Sequence, residues 1–178
     1  MVQEFTERAR EQAGRLGDAL LAGGGALAAA ESCTGGWIAK VVTDVAGSSG
    51  WFEGALVAYS NRAKQAWLQV PEPVLESHGA VSEEVARAMV RGLLGRVPVT
   101  HGVAVTGVAG PGGGTPDKPV GTVWIAWGRR PDRDPATAPV LLEARHFRFD
   151  GDRDTVRAAS VHAALCGAPS GWDATGGL

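Results

Sequence analysis

The sequence predicts an α/β protein, a three-layer α/β/α sandwich around a mixed, mostly parallel sheet. Short apolar runs alternate with amphipathic stretches for much of the chain, a pattern typical of strands and helices packed in layers. The last two apolar runs follow each other with only a polar, proline-containing segment between them. Strands joined by a short connection pair antiparallel, so this succession indicates a sheet of mixed direction.

The length and composition suit one domain. The chain has 178 residues, of which 44% are apolar and 20% charged, a balance that permits a packed core. No internal repeat is visible. We therefore predict a single domain over residues 1–166, followed by a flexible Gly/Pro-rich tail over residues 167–178.

Helices are predicted from apolar residues that recur at spacings of three and four. Two of them have clear starts, since Asn61 and Ser82 are side chains that can cap a helix. Glu83 and Glu84 lie in the positive first turn of the second of these helices, where carboxylates are favoured. The predicted helices cover residues 3–21, 37–45, 61–67, 82–94 and 150–164.

Strands are predicted where short apolar runs end at glycine, proline or polar residues. The runs are too short for helices, and continuous apolar character is typical of strands that are covered on both faces. The predicted strands are residues 26–30, 56–60, 102–106, 120–127 and 140–149.

Charge and cysteine content narrow the class of protein. The net charge is −2 and no long Lys/Arg run occurs, so nucleic acid is not an expected partner. Two cysteines, Cys33 and Cys166, are too few for a disulfide framework, which favours a cytoplasmic location. No apolar run reaches the roughly 18 residues of a membrane span, and the charged amino terminus does not resemble a signal peptide. The four histidines are scattered and no His/Cys spacing indicates zinc, so no metal is expected.

The first polar cluster is E-S-C-T-G-G, residues 31–36, directly after the first predicted strand. A serine in a strand-to-helix turn can present its hydroxyl, so Ser32 is a candidate nucleophile. The amides that follow lie at the positive end of a helix and are candidates for an oxyanion hole. Thr34, Gly35 and Gly36 are candidate substrate contacts. The alternative is that Ser32 is a plain helix cap.

The second cluster, Y-S-N-R-A-K, residues 59–64, follows the second predicted strand. Lys64 lies in the first turn of a helix, where the dipole disfavours the protonated amine, and burial would lower its pKa further. A neutral lysine can act as general base toward a serine. The alternative is a solvated lysine on a helix surface.

The third cluster runs from Thr106 to Thr115 and is rich in glycine. Its glycines permit turns that expose successive amides to an anion, although the spacing fits neither a P-loop nor a dinucleotide-binding fingerprint. A surface loop is the alternative. Because ligand sites of open α/β sheets lie beyond strand ends, the three clusters are expected to form one site. The candidate substrate contacts in this cluster are Thr106, Gly107, Gly110, Gly112, Gly113 and Gly114.

The nucleophile has one serious rival in the sequence. Cys33 follows Ser32 directly, and thiolates are favoured at helix amino termini. No G-x-S-x-G segment supports a serine–histidine hydrolase. The residues alone therefore leave Ser32 with Lys64 and a cysteine mechanism through Cys33 both open.

Six segments, taken together, resemble the CinA C-terminal domain, or nicotinamide-nucleotide amidase, family in its stand-alone form. They follow the family's order and lie within residues 5–165. They are A-E-S-C-T-G-G (30–36), V-A-Y-S-N-R-A-K (57–64), H-G-A-V-S-E-E-V-A-R-A-M (78–89), T-G-V-A-G-P-G-G-G-T (106–115), K-P-V-G-T-V (118–123) and G-D-R-D-T-V-R (151–157).

The resemblance implies deamidation of nicotinamide mononucleotide to nicotinic acid mononucleotide and ammonia, without a cofactor. It implies that Ser32 is the nucleophile, Lys64 the general base and Tyr59 a supporting hydroxyl. It also implies substrate contacts from Thr106, the glycine loop and Arg153. Either Arg153 or the amides of residues 112–114 would hold the phosphate, and a homodimer or larger homo-oligomer is expected. Two alternatives stay open: a silent nucleotide-binding module, and a hydrolase of another amide that uses Cys33.

Overall fold

The computed structural model describes residues 1–168 and Trp172, and its centre is a five-stranded sheet. The strand order is β2-β1-β3-β4-β5. Strands β1, β2 and β3 are mutually parallel, while β4 is antiparallel to both β3 and β5. Four of the five strands therefore share one direction, which confirms the mixed, mostly parallel sheet. The strands are β1 (Leu27–Glu31), β2 (Phe52–Val57), β3 (His101–Gly107), β4 (Thr122–Arg129) and β5 (Leu141–Arg148).

Helices cover both faces of the sheet and complete the predicted three layers. Helices α1, α2 and α6 pack against one another on one face, and α3 and α4 both contact α5 on the other. A short 3₁₀ helix at Ser48–Gly50 precedes β2. The α-helices are α1 (Val2–Ala22), α2 (Trp37–Thr43), α3 (Asn61–Leu68), α4 (Glu72–His78), α5 (Glu83–Leu94) and α6 (Arg153–Cys166).

The core consists of two apolar clusters, one on each face of the sheet. In β1, Leu27 and Ala29 contact the α1/α2/α6 cluster, whereas Ala28 and Ala30 contact the α3/α4/α5 cluster. Alternate residues of a strand point to opposite faces, so every position of this central strand is buried. The continuous apolar run after the glycines at 23–25 thus fits an interior strand, with β2 on one side of β1 and β3 on the other.

One local prediction on the α3/α4/α5 face is wrong, and one short helix there was not predicted. The N-cap of α3 is Ser60, whose hydroxyl accepts from the Ala63 amide, and Asn61 is the first helical residue. Helix α3 ends at Leu68, ahead of Pro71 and Pro73, and the same two prolines flank the start of α4, a helix that the apolar spacing does not predict. Proline is tolerated there because the first turn of a helix needs no N–H donor.

Strand β2 begins four residues before the predicted start at 56. It is an edge strand that pairs only with β1, with an irregular register near Leu27, so it lacks a continuous apolar run. Residues 58–60 form the connection into α3. Because β1, β2 and β3 are parallel, their carboxyl ends meet at one edge of the sheet, and all three predicted polar clusters begin there.

The predicted tail lies largely outside the described residues. Trp172 is described and is buried against the core, where its indole N–H donates to the Gly128 carbonyl at 3.1 Å. No helix in the described part of the chain is long and apolar enough to cross a membrane.

Candidate active site

Ser32 and Lys64 meet at the shared edge of β1 and β2. The Lys64 Nζ lies 2.9 Å from Ser32 Oγ and is also 3.0 Å from the carbonyl oxygens of both Ala58 and Tyr59. Lys64 is only 1% exposed and Ser32 only 7% exposed. Lys64 is thus a buried amine with three oxygen neighbours, and the surface-lysine alternative is wrong.

The contacts of Lys64 constrain how its protons are arranged. Burial lowers the pKa of the Lys64 ammonium, which favours the neutral amine. A neutral amine has two N–H donors and one lone pair, and carbonyl oxygens can only accept. When the two N–H groups bond to Ala58 and Tyr59, the lone pair is left for the Ser32 hydroxyl. This arrangement suits proton transfer from Ser32 to Lys64.

A cavity of about 170 Å³ opens at this pair. Pockets that bury a drug-sized ligand usually measure about 300–1,000 Å³. This cavity is smaller and suits a group of about the size of one aromatic ring. Thr106 and Gly107 contribute to the wall from the end of β3. The lining residues are Ser32, Cys33, Tyr59, Lys64, Ala80, Val81, Thr106, Gly107, Ala109 and Arg153.

Arg153 joins the second and third clusters at the cavity. Its Nη1 donates to the Gly110 carbonyl at 2.7 Å, and its Nη2 to the Tyr59 hydroxyl at 3.2 Å. Tyr59 as a residue is 60% exposed, whereas its carbonyl is one of the oxygens around Lys64. Tyr59 therefore contributes to the site through two different groups.

The glycine loop only partly lines the cavity. Gly107 lies on its wall, and Gly110 contacts Arg153 from beside it. Gly112, Gly113 and Gly114 are exposed and lie outside the lining. Thr106 lines the cavity, and its hydroxyl donates to the Ala80 carbonyl at 2.8 Å.

The first turn of α2 is not the oxyanion hole expected from the sequence. The buried Glu31 carboxylate accepts from the amides of Gly36, Ile38 and Ala39 at 2.9–3.0 Å, so these donors are already used. Sequence reasoning missed this role of Glu31, although a carboxylate suits a positive helix end. In the described part of this turn, the amides of Cys33 and Thr34 donate to no other residue, although the Cys33 amide interacts with its own thiol.

The remaining residues of the first cluster face away from the cavity or are enclosed. Gly35 and Gly36 line a separate open groove with Trp37 and Arg157. Thr34 is fully buried, and its hydroxyl has no hydrogen-bond partner among the described residues. Arg157, a second residue missed from sequence, donates to the carbonyls of Cys33 and Thr34. The sequence feature that could have identified Arg157 is the motif at 151–157, whose last residue lies one helical turn after Arg153.

Cys33 lines the cavity but is poorly suited to act as a nucleophile. Burial raises the pKa of its thiol to about 12, so the thiolate is scarce at neutral pH. Among the described residues, no group of three or more His, Cys, Asp or Glu side chains is arranged to hold a metal ion.

The fold and the site define an α/β protein with a buried serine–lysine pair at the carboxyl ends of parallel strands. The family model for the CinA C-terminal domain matches residues 9–169, and the chain belongs to this family.

Relatives of similar length carry a common name. The chain is 48% identical over 151 residues to nicotinamide-nucleotide amidohydrolase PncC of Escherichia coli (strain K12), covering 85% of this chain and 87% of the relative. It is 50% identical over 153 residues to the protein of the same name from Pseudomonas putida, covering 86% and 90%.

Solved structures support the same family. The competence/damage inducible protein CihA from Agrobacterium tumefaciens superposes with a TM-score of 0.82 at 38% identity, covering 89% of this chain and 92% of that one. The competence damage-inducible protein A (ComA) from Klebsiella pneumoniae gives the same TM-score at 36% identity, covering 89% and 93%.

Proposed function

We propose that this chain hydrolyses the carboxamide of nicotinamide mononucleotide, giving nicotinic acid mononucleotide and ammonia. The single observation that carries the mechanism is the 2.9 Å contact between Lys64 Nζ and Ser32 Oγ inside a ring-sized cavity. The choice of substrate rests on relatives that are about half identical over most of their length and are named nicotinamide-nucleotide amidohydrolases.

In the proposed acylation, the neutral Lys64 amine takes the Ser32 proton while Ser32 Oγ attacks the amide carbon. The amides of Cys33 and Thr34 are the proposed donors to the oxyanion. The Lys64 ammonium then gives its proton to the amide nitrogen, the C–N bond breaks, and ammonia leaves an ester on Ser32.

Deacylation reverses the same proton path. Water attacks the ester carbon and gives a proton to Lys64, and Lys64 returns it to Ser32 Oγ as the ester bond breaks. The product is the carboxylic acid, which loses its proton to solvent. Each turnover therefore leaves both residues as they began.

The nucleotide is proposed to place its pyridine ring in the cavity and its ribose phosphate at the mouth. The cavity is smaller than most pockets for ligands of this size, so part of the substrate stays outside it. Lys64 and Arg153 are the basic side chains of the lining, and Lys64 already contacts Ser32 and two carbonyls. Arg153 is therefore the proposed phosphate contact, in preference to the exposed glycines at 112–114.

Ammonia release from nicotinamide mononucleotide tests the proposal. We expect release by the wild type, a loss of several orders of magnitude in Ser32→Ala, and normal release in the control Ser49→Ala, at an exposed serine of the 3₁₀ helix that precedes β2. A wild type that binds the nucleotide without releasing ammonia would instead indicate a silent binding module. Release that survives in Ser32→Ala but not in Cys33→Ala would move the nucleophile to the thiol.

The proposal also includes a homodimer or larger homo-oligomer. Light scattering after gel filtration measures the mass directly. A mass near the 18.3 kDa of one chain would contradict this part.

A further inference from the structure

The turn that carries Ser32 is held on its outer side by Arg157 of α6. We propose that Arg157 is a positioning residue for the amide hydrolysis: it orients the nucleophile turn so that the Thr34 amide N–H can meet the developing oxyanion. This inference rests on the proposed function, because it concerns the reaction at the same serine.

Arg157 donates hydrogen bonds to two adjacent carbonyls of the turn. Its Nε donates to the Cys33 carbonyl at 3.2 Å and its Nη2 to the Thr34 carbonyl at 3.0 Å. The guanidinium also lies 5.1 Å from the centre of the Trp37 ring, which limits its alternative positions. A planar fork with two donors can fix both carbonyl directions at once, which a single ammonium cannot.

Fixing a carbonyl also fixes the next amide. In a trans peptide, the C=O and the following N–H belong to one plane and point in opposite directions. Because the Cys33 carbonyl points to Arg157, the Thr34 N–H points away from Arg157. The Thr34 carbonyl also points to Arg157, so the Gly35 N–H points away from Arg157. It donates to the Ser32 carbonyl at 3.1 Å.

The two faces of the turn have different surroundings. Arg157 lies in the open groove with Gly35, Gly36 and Trp37, whereas Ser32 and Cys33 line the reaction cavity. An N–H that points away from Arg157 therefore points away from the groove. The amide of Thr34 has no acceptor within the described residues, and it belongs to the peptide bond that follows Cys33, a residue of the cavity wall.

Glu31 holds the same turn from the other end. Its carboxylate takes the amides of Gly36, Ile38 and Ala39, while Arg157 takes the carbonyls of Cys33 and Thr34. The Glu31 carboxylate thus binds N–H groups that follow the turn, and the Arg157 guanidinium binds carbonyl groups within the turn.

Gly35 leaves room for the guanidinium of Arg157 beside the turn. Its φ is +62°, a left-handed conformation that favours glycine. A Cβ at this position would lie 3.3 Å from Arg157 Nη2, so a side chain would press on the guanidinium. The role of Gly35 in this structure is to admit Arg157, and it lies outside the cavity where substrate contact was expected.

Arg157→Met tests the inference, because methionine keeps an unbranched stem beside Trp37 and removes every donor. Arg157 does not line the cavity, so kcat should fall while KM changes little. Loss of one oxyanion donor typically lowers kcat about 10²–10³-fold, and we expect a loss of up to about that size. Arg157→Lys should retain part of the rate. The control is Arg10→Met, at an exposed arginine of α1.

A second measurement separates positioning from damage to the fold. Added guanidinium should restore part of the rate of Arg157→Ala, whose short side chain leaves space for it, and it should leave Arg10→Ala unchanged. A purely structural defect, such as a lowered melting temperature without rescue, would overturn the inference. So would a normal kcat, or a loss confined to KM.

A third measurement separates this inference from the proposed function. A fluorophosphonate reacts with an activated serine when Ser32 Oγ attacks phosphorus, fluoride leaves and the serine proton passes to Lys64. We expect Arg157→Met to label at Ser32 more slowly than the wild type. A wild type that labels but releases no ammonia from the nucleotide would reject the substrate and keep the inference. Equal labelling of an ammonia-releasing wild type and Arg157→Met would reject the inference and keep the substrate.

Discussion

Replacing Lys64 by methionine is the most informative single change at this site. Methionine has a similar length and no charge, so the variant removes the base while filling most of the same space. Removing one member of a nucleophile–base pair costs roughly as much as removing the nucleophile, about 10⁴–10⁶-fold in kcat. We expect ammonia release from nicotinamide mononucleotide to fall by that order in Lys64→Met.

The same change should alter stability only moderately. It leaves the carbonyls of Ala58 and Tyr59 without their donor, at about 1–3 kcal/mol for each buried group. It also removes the cost of burying an amine that can carry charge, which is several kcal/mol in the charged form. These terms oppose each other, so a folded variant is expected, and circular dichroism with chemical denaturation checks it.

The pH dependence of activity follows from the lowered pKa of Lys64. Burial disfavours the ammonium, so the neutral base forms below the usual lysine pKa of about 10.4. The rate constant kcat/KM should therefore rise with pH through this lowered pKa and then level off.

The lowered pKa of Lys64 should also make the free energy of unfolding depend on pH, and the direction of this dependence can be stated. Between the native pKa of Lys64 and about 10.4, the unfolded chain binds a proton that the native chain lacks, so the unfolding free energy rises with pH. Below the native pKa both states hold the proton, and the burial cost is fully present. The wild-type curve minus the Lys64→Met curve should therefore rise across this window. A flat difference, or a variant with kcat within tenfold of wild type, would refute the reasoning.

Two further predictions concern residues whose roles the structure separates from the chemistry. Cys33→Ala should keep nearly normal ammonia release, and thiol reagents should leave the activity of the wild type nearly unchanged even though Cys166 is exposed, because a Cys33 thiol with a pKa of about 12 is ionised on the order of 10⁻⁴ at pH 8. Loss of activity in a folded Cys33→Ala would contradict this. Arg130→Met should destabilise the protein by about 3 kcal/mol or more in urea denaturation, relative to Arg10→Met. The reason is that the buried Arg130 guanidinium donates to five backbone carbonyls, including that of Leu94 at the end of α5 and that of Val97 just after it. An unchanged midpoint would show that these bonds contribute little.

The layered fold was readable from the sequence because its signals are local. Within the described residues, apolar runs and helical spacing located each of the five strands and five of the six α-helices. The short helix α4 was hidden because prolines at 71 and 73 are read as breaks, although they suit a first turn. Strand β2 was misplaced because an edge strand carries polar and glycine positions such as Glu53 and Gly54.

The candidate site was only partly readable. Ser32, Lys64, Thr106 and Arg153 were located by motifs that follow strand ends, and the structure brings all four to one cavity. The roles of Glu31 and Arg157 depend on the path of the backbone through the turn, which spacing does not encode. Whether the first-turn amides of α2 are free for a ligand depends on the position of one carboxylate, that of Glu31. The sequence does not give this position, and the structure does.

The central claim is that Ser32 becomes an ester during turnover. Hydroxylamine tests this directly, because it competes with water for an acyl-enzyme and yields a hydroxamate. We expect nicotinamide mononucleotide to give the hydroxamate in proportion to hydroxylamine. Acid quenching should in addition leave the acyl group on the peptide that contains Ser32, with no such adduct in Ser32→Ala. Normal ammonia release with neither hydroxamate nor adduct would mean that water attacks the amide directly, and the account of Ser32 and Lys64 would be wrong.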